Sequence, residues 1–474
     1  NRMQSTFFWY DLETTGTDPI LDRIVQFAGQ RTDSDLRPIG PPVNFYIKPS
    51  VDTLFHPDAT LITGIDPDQL DAEGLSELEG LRKILACFTE PGTCVVGYNN
   101  LNFDDEFVRQ SLYRNFFDPY AREWQNGNSR WDLINLLRMT YALRPMGINW
   151  PQRGDGKPSF TLVSMAEANG LSHENAHDAL SDIEATISLA KLVKTVQPKL
   201  FEYHFRMRKK QPVLDLLYPL GKAPVLLVQP FFEASDRYLA PVLPLLAHPS
   251  NQNSVICLDL RQDPEGYCSL KGDALTDFLF PKRVEGARSK PSAVQRIQIN
   301  RCPPIAPVNT LPSALAADFS WSPDRLSGFI KQIQSHPSIQ GVLLDALQRV
   351  SEPLEMDAEF QLYGGGFVSE VDRSRFAWVH ETASAPGQTE VFEAARLNEL
   401  LFTFKARHYP ESLDTAQVQR WRAFLLARWQ QDARLSTLYQ TTKARLAAQP
   451  DSVLLPKLLR RLQAQAGLIS LSLD

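Results

Sequence analysis

Two acidic residues near the start of the chain, Asp11 and Glu13, have the types and spacing of a metal-binding pair. They end an apolar, aromatic run at residues 7–10 that predicts a buried strand. Because strand side chains alternate between faces, both carboxylates point to the same side. Mg²⁺ and Mn²⁺ prefer such oxygen ligands, and Gly16 predicts a turn that leaves the strand end open to a substrate. The alternative is two solvated acids, because Asp-x-Glu is frequent by chance.

Two further acids and a histidine lie where helices are predicted to begin. Asp104 follows a predicted strand at residues 93–98 and precedes a helical pattern. In isolation it could equally be a helix-capping acid. Asp182 lies near the apolar face of a helix that continues to about residue 193, and His177 precedes it at the helix entry. Such a histidine is often a surface or capping residue, but here it could reach a water bound to the same metal.

The elements that must position these residues predict a mixed α/β sheet. Further strands are predicted at residues 24–31 and 43–48, and an amphipathic helix at residues 78–88. Another helix is predicted to begin at Trp131. Three strands in succession, followed by alternating helix and strand, indicate a mixed sheet flanked by helices.

Length and composition indicate a multidomain globular protein. A chain of 474 residues exceeds one ordinary core, so roughly two to four domains are expected. No apolar run approaches the ~20 residues that span a bilayer, and no signal-peptide pattern is present, so a cytoplasmic location is expected. The five cysteines are scattered and lack a Cys-x-x-Cys pair, which argues against disulfides or a zinc site and predicts buried thiols.

Charge is distributed unevenly along the chain. Residues 1–198 carry 17 basic and 27 acidic side chains, whereas residues 401–474 carry 11 and 5. The net charge of −6 argues against a nonspecific nucleic-acid coat, but a positive domain beside a negative one can form a local basic track. A solvated amphipathic bundle is the alternative.

The later parts of the chain predict two more domains, with boundaries that give 1–198, 199–350 and 351–474. Strand patterns occur at residues 225–232, 254–260 and 293–300, followed by helical patterns at 323–335 and 338–350. An acidic stretch at 351–357 predicts a linker into helices at 391–404, 415–429, 438–448 and 453–465. The glycine-rich residues 363–367 lack a Walker lysine, which argues against nucleotide binding.

Basic residues with neighbouring aromatics occur in both later domains, and such pairs are typical of single-strand tracks. One run lies at residues 206–210, where a solvated linker is the alternative. In the last domain Arg407, Arg420, Arg422 and Arg428 lie beside aromatic residues. We expect those aromatics to be core and their basic neighbours to be available to DNA.

In their order, the motifs Asp-x-Glu, Asn-x-x-Phe-Asp and His-x-Ala-x-x-Asp resemble those of the DEDDh family of 3′→5′ exonucleases. The stretches GYNNLNFDDEFVR, NSRWDL and YALRPMGINWP narrow the resemblance to its bacterial exodeoxyribonuclease I branch, over essentially the whole chain. The resemblance implies a ribonuclease-H-like mixed-sheet exonuclease domain, an SH3-like β-barrel domain and a helical C-terminal domain. One departure is that Leu12 and Thr15 stand where that branch typically carries aromatics, a difference that bears on contacts to the terminal nucleotide.

The resemblance also implies a metal site. Asp11, Glu13, Asp104 and Asp182 would hold two Mg²⁺ ions, for which Mn²⁺ could substitute, with His177 as the general base. Asp11 would bridge the ions, Glu13 and Asp182 would complete the first, and Asp104 would support the second. Two ions can stabilise the attacking and leaving oxygens of a phosphodiester. Without cations the carboxylates repel one another, so raised pKa values are expected.

The implied activity is hydrolysis of single-stranded DNA from its 3′ end, releasing 5′-mononucleotides, in DNA repair and recombination. The alternatives are a relative that acts on RNA or proofreads a polymerase, and a noncatalytic single-stranded DNA-binding scaffold. The implied partner is the single-stranded DNA-binding protein, through its acidic C-terminal tail. Residues 206–210, Lys222 and the positive C-terminal region could rim its site, whereas Pro312 stands where family members have a basic residue. A monomer is expected.

Overall fold

A computed structural model describes residues 5–171, 178–281, 292–348, 357–387 and 390–473. The first sheet comprises β1 (Thr6–Thr14), β2 (Ile24–Thr32), β3 (Val43–Tyr46), β4 (Thr93–Gly97) and β5 (Ser129–Asp132). Its strand order is β3-β2-β1-β4-β5. β2 is antiparallel to both β1 and β3, whereas β4 is parallel to both β1 and β5. The predicted mixed sheet is confirmed.

Helices cover both faces of this sheet. The helices in this part of the chain are α1 (Pro57–Thr63), α2 (Pro67–Glu73), α3 (Glu77–Phe88), α4 (Asp104–Arg114), α5 (Leu133–Leu143), α6 (Leu162–Ala168), α7 (Ala179–Val196), α8 (Pro198–Arg206) and α9 (Lys210–Leu217). Of these, α9 packs its buried residues into the core of the middle domain. Trp9 packs in one core with residues of α5, α7 and α8, including Phe201. Tyr10 points the other way, into a core with α3 and α4 that includes Leu81. Because side chains alternate between the two faces of β1, the strand packs against both helical layers.

One local prediction in this region is wrong. Trp131 does not begin a helix, because it lies in β5, and α5 starts only after Asp132, whose side chain accepts from the backbone N–H of Ile134 at 3.1 Å. The basic run at residues 206–210 connects the end of α8 to the start of α9, and Arg206, Lys209 and Lys210 are exposed, as expected of a solvated linker.

The middle domain is built on a second five-stranded sheet. Its strands are β6 (Val225–Val228), β7 (Leu239–Ala247), β8 (Ser254–Asp259), β9 (Val294–Gln298) and β10 (Ile305–Pro307). The order is β10-β6-β7-β8-β9, with every neighbouring pair antiparallel. Its helices are α10 (Glu265–Cys268), α11 (Gly272–Leu279), α12 (Ser313–Ala316), α13 (Leu326–Gln334) and α14 (Ser338–Gln348). The central strand β7 was absent from the sequence prediction.

The C-terminal domain is helical, as predicted. It contains α15 (Glu370–Ser374), α16 (Phe376–Thr382), α17 (Ala395–His408), α18 (Thr415–Gln430), α19 (Arg434–Ala448) and α20 (Leu454–Leu468). Most of the predicted acidic linker, residues 351–356, lies outside the described residues. Phe402, Phe404 and Trp429 are buried, which confirms that these aromatics are core. The expectation that Arg407 and Arg428 are available to DNA is wrong, because both are buried in ion pairs.

The five cysteines are unpaired. Four are buried and Cys87 is partly buried, as expected for thiols in a packed interior. Within the described ranges, none of the helices is long and apolar enough to cross a membrane.

Candidate active site

The acidic residues of β1 lie where the strand extends past its parallel neighbour. β1 pairs with β2 through Asp11 and Glu13, but its pairing with β4 ends at Trp9. Beyond that point the chain leaves β4 and turns into α4, which begins at Asp104. The backbone N–H of Leu12 donates to Asp104 Oδ1 at 3.2 Å, so this carboxylate occupies the gap beside the strand.

Three of the predicted ligands meet at this strand end. Asp11, Glu13 and Asp182 offer carboxylate oxygens that all lie within 4.8 Å of one another. Asp182 is delivered by the first turn of α7, which packs against β1 and β2. Buried Ile183 and Ile187 fix the rotation of that helix. Two distant segments thus present a compact set of oxygen donors.

The electrostatics of the cluster fit a divalent cation. Burial raises the pKa of Glu13 to about 9, with further contributions from Asp11 and Asp182. Burial and then the charge of Asp104 raise the pKa of Asp11 well above its usual range, and burial does the same to Asp104. Three hard oxygen donors, closely spaced and unfavourable as bare anions, match the preferences of Mg²⁺ or Mn²⁺. Asp11, Glu13 and Asp182 could hold such an ion, and Asp104 lies beside them.

Asp105, which the sequence reading did not single out, anchors the helix that carries Asp104. Its carboxylate accepts from Arg122 at 3.0 Å, from Arg130 at 2.9 Å and from the Tyr10 hydroxyl. Burial alone would raise its pKa, but the two arginines outweigh burial and lower it. In the sequence, Asp105 is visible only as the second acid of an Asp-Asp pair, which by itself does not indicate this role.

Asp132 fixes the turn that precedes Asp104. Its carboxylate accepts from the backbone N–H groups of Asn99 at 2.8 Å and Leu101 at 3.2 Å, in addition to capping α5. Burial raises its pKa to about 6, despite these hydrogen bonds. An acid just before an apolar helical pattern is the signal of a helix cap and could have identified it.

The predicted base, His177, lies outside the described residues, and its role remains a prediction. The next residue, Asp178, caps α7 by accepting from the backbone N–H of Ser181 at 3.2 Å. Its charge also contributes to the raised pKa of Asp11 and Glu13. Asp178 is therefore a further acid of this region that the motif comparison did not assign.

A groove of about 1190 Å³ starts at the turn that leads to Asp104 and continues between the first and middle domains. Its cations are Arg138, Arg153 and Lys157, and its aromatic lining includes Tyr98, Phe160, Phe231, Phe232 and Tyr238. Phe231 is 69% exposed. The sequence patterns do not show this groove because its residues are spread over four separate segments.

Comparison with known proteins supports one family over the whole chain. Family models described as exonuclease, exonuclease I SH3-like domain and exonuclease I C-terminal domain match residues 8–190, 208–349 and 356–464. Exodeoxyribonuclease I of Escherichia coli is 42% identical over 89% of this chain and 89% of that protein. The Haemophilus influenzae enzyme is 40% identical over 88% and 89%. The chain belongs to the exodeoxyribonuclease I family.

Solved structures of the family agree with this architecture. A crystal structure of E. coli exonuclease I with a dA16 oligonucleotide has a TM-score of 0.90 and 39% identity, and covers 98% of this chain and 100% of that one. A zinc-ion-bound form of the E. coli exonuclease I–single-stranded DNA complex has a TM-score of 0.89 and 38% identity, and covers 99% and 100%. The predicted exonuclease, SH3-like and C-terminal domains of the exodeoxyribonuclease I family are thereby confirmed.

Proposed function

We propose that this chain is a divalent-metal-dependent 3′→5′ exonuclease that hydrolyses single-stranded DNA to 5′-mononucleotides, in DNA repair and recombination. The observation that carries the proposal is the convergence of Asp11, Glu13 and Asp182 beside Asp104. Family membership supports DNA as the substrate, because the E. coli relative is solved with DNA oligonucleotides. We keep the division 1–198, 199–350 and 351–474 as the proposed domain boundaries.

The residues of the cluster have distinct proposed roles. Two bound Mg²⁺ ions, or Mn²⁺ in their place, would stabilise charge on the attacking and leaving oxygens of the phosphodiester. Asp11, Glu13 and Asp182 would hold one ion, with Asp11 shared, and Asp104 would support the other while its bond to Leu12 fixes it to β1. His177 would accept the proton of the attacking water, since imidazole titrates near neutral pH.

The groove beside the cluster suits a single strand. Arg138, Arg153 and Lys157 would neutralise phosphates, and Phe160 and Phe231 offer rings on which bases can stack. Because the groove begins at the turn before Asp104, a strand lying in it would bring one of its ends towards the acids, and we propose that this is the 3′ end.

We further propose that the acidic tail of the single-stranded DNA-binding protein docks on this chain. Within the run at residues 206–210, Arg208 stacks 3.6 Å from the centre of the Phe205 ring and donates to Ser129 Oγ. The remaining cations of the run, with Lys222, would rim the tail site. A monomer is proposed, and the free thiols support a reducing, cytoplasmic setting. Calorimetry with a tail peptide should show salt-sensitive binding that disappears when the apolar end of the peptide is removed.

Product analysis tests the proposed activity. DNA and RNA labelled at either end, single- and double-stranded, are incubated with Mg²⁺ or with chelator. We expect 3′ label to leave first as mononucleotide, from single-stranded DNA and only with metal. His177→Ala should lower the rate by roughly 10²- to 10⁴-fold while single-strand affinity persists. Early release of 5′ label, hydrolysis under chelation, or equal degradation of RNA would contradict the proposal.

A further inference from the structure

The turn that follows Glu13 is held by side chains rather than by regular strand pairing. The register of β1 with β2 shifts between Glu13 and Thr14. Just beyond this shift, a Cβ on Gly16 would lie 2.3 Å from Asp22 Oδ2 and 2.4 Å from His56 Cδ2. The carbonyl of Thr15 accepts from the backbone N–H of His56 at 2.9 Å. Asp22 and His56 therefore set the position of this turn.

The C-terminal domain reaches these two residues through Arg434, at the start of α19. Arg434 Nη2 lies 3.1 Å from Asp22 Oδ1 and 3.4 Å from His56 Nε2. His56 Nε2 lies 3.5 Å from the same Asp22 oxygen. Because Asp22 is 1% exposed, its carboxylate depends on these neighbours to compensate its charge.

The backbone before Arg434 is strained, which is an independent sign that its position is determined. Asp432 and Ala433 have φ values of 52° and 50°, in the left-handed region. For residues with a Cβ this conformation is unfavourable, and such strain persists where surrounding contacts impose it. One such contact precedes the turn, where Trp429 Nε1 donates to the carbonyl of Asp52 at 3.2 Å.

We infer that Arg434 is a positioning residue for the acidic cluster. From the C-terminal domain it holds Asp22 and His56 against the turn after Glu13, and thereby fixes the Glu13 carboxylate relative to Asp11 and Asp182. Its effect on hydrolysis rests on the proposed function. Its effect on metal affinity does not, because the cluster can be titrated with a cation in the absence of DNA.

The test compares Arg434→Ala with Arg445→Ala in the full-length protein. Arg445 is also on α19 and also reaches the first domain, pairing at 2.9 Å with Asp58, two residues after His56. Both of these side chains are about half exposed, so this pair is solvated, unlike the pair of Arg434 with buried Asp22. Mn²⁺ binding without DNA is measured by calorimetry or by loss of the free-ion paramagnetic resonance signal. We expect roughly tenfold weaker Mn²⁺ binding for Arg434→Ala and no change for Arg445→Ala.

Two further measurements separate positioning from general damage. Arg434→Ala should lower kcat while the KM for single-stranded DNA is retained, and Arg434→Lys, which keeps a cation, should recover part of the Mn²⁺ affinity. Equal Mn²⁺ affinity in Arg434→Ala and Arg445→Ala, or an equal loss in both, would overturn the inference. A wild-type protein that binds Mn²⁺ without hydrolysing DNA would instead count against the proposed function and leave this comparison intact.

Discussion

Buried carboxylates occur both in the acidic cluster beside β1 and at the interface between the first and C-terminal domains. In the cluster, burial raises the pKa of Glu13 to about 9, and the nearest charges are other carboxylates. At the interface, burial acts on Glu77 in the same direction, but Arg114 and Arg23 outweigh it and lower its pKa to about 2. The same degree of enclosure therefore gives opposite results, depending on whether the fold supplies a cation.

The interface supplies its cations as a chain of buried arginines. Arg407 lies between Asp52, at 2.8 Å, and Glu359, with which it also pairs. Arg428 pairs with the other oxygen of Glu359, and Arg23 approaches Asp52 at 3.4 Å. Since these acids have internal partners, their role is structural. The acids of the cluster face one another, which suits them to a cation from solution and supports the catalytic role proposed for them.

Removing the central acid of the cluster should give the largest effect. Asp11→Ala should lower the hydrolysis rate by more than about 10²-fold, because loss of a metal ligand exceeds the effect of losing a residue that only supports one. Release of 3′ label measures this, with exposed Asp35→Ala as the matched control. Wild-type turnover in Asp11→Ala would place the reactive centre elsewhere.

Removing an internal cation should have the largest effect on stability. Arg407→Ala leaves Asp52 and Glu359 short of a buried partner and should lower the free energy of unfolding by about 3–5 kcal/mol. Arg420→Ala is the control, because its partner Glu399 is exposed and such pairs contribute at most about 1 kcal/mol. Urea unfolding measures both. Equal midpoints for the two variants would show that the buried chain is not stabilising.

The pH dependence of stability should expose the lowered pKa of Glu77. Since the folded pKa lies below the ordinary value of 4.5, its stabilisation is present above that pH and is lost as pH falls towards 2. The wild type should lose on the order of 3 kcal/mol more than Glu77→Gln across this window. Urea midpoints at several pH values test this, and parallel pH profiles would contradict it.

The corresponding substitution in the cluster, Glu13→Gln, is expected to have the smallest effect on stability. The pH dependence that it removes has the opposite sign to that of Glu77. Glu13 has a raised pKa, so folding without metal takes up a proton, and stability falls as pH rises from 4.5 towards 9. Glu13→Gln removes this dependence and should stabilise the metal-free protein at pH 7 by up to about 3 kcal/mol. Thermal melting in chelator measures the change. A melting temperature for Glu13→Gln below that of the wild type would contradict the contrast drawn between Glu13 and Glu77.

The cluster could be predicted from sequence where local rules apply. Alternation along β1 was sufficient to pair Asp11 with Glu13, because the strand is regular up to that point. Helical spacing placed Asp182 at the start of α7. Both inferences need only a few neighbouring residues. The order of the motifs along the chain, which resembles that of the DEDDh exonucleases, then indicated that these acids come together in one site.

The missed features depend on distant partners or unusual strands. β7 lies in the middle of its sheet although it contains Pro241 and Pro244, and proline normally argues against a central strand. The irregular pairing after Pro244 accommodates the second of these. The pair of Arg407 with Asp52 spans 355 residues, so no local pattern could show that this arginine is buried rather than facing DNA.

That separation also orders events during synthesis. At roughly 5–20 residues per second, the 355 residues between Asp52 and Arg407 correspond to roughly 20–70 s of translation. During that interval the nascent first domain has Asp52 and Arg23 but not the arginine that completes their network. Arg434, which contacts Asp22 beside the acidic turn, leaves the ribosome later still. The C-terminal domain, which is synthesised last, therefore completes the buried ion pairs of the first domain, which is synthesised first.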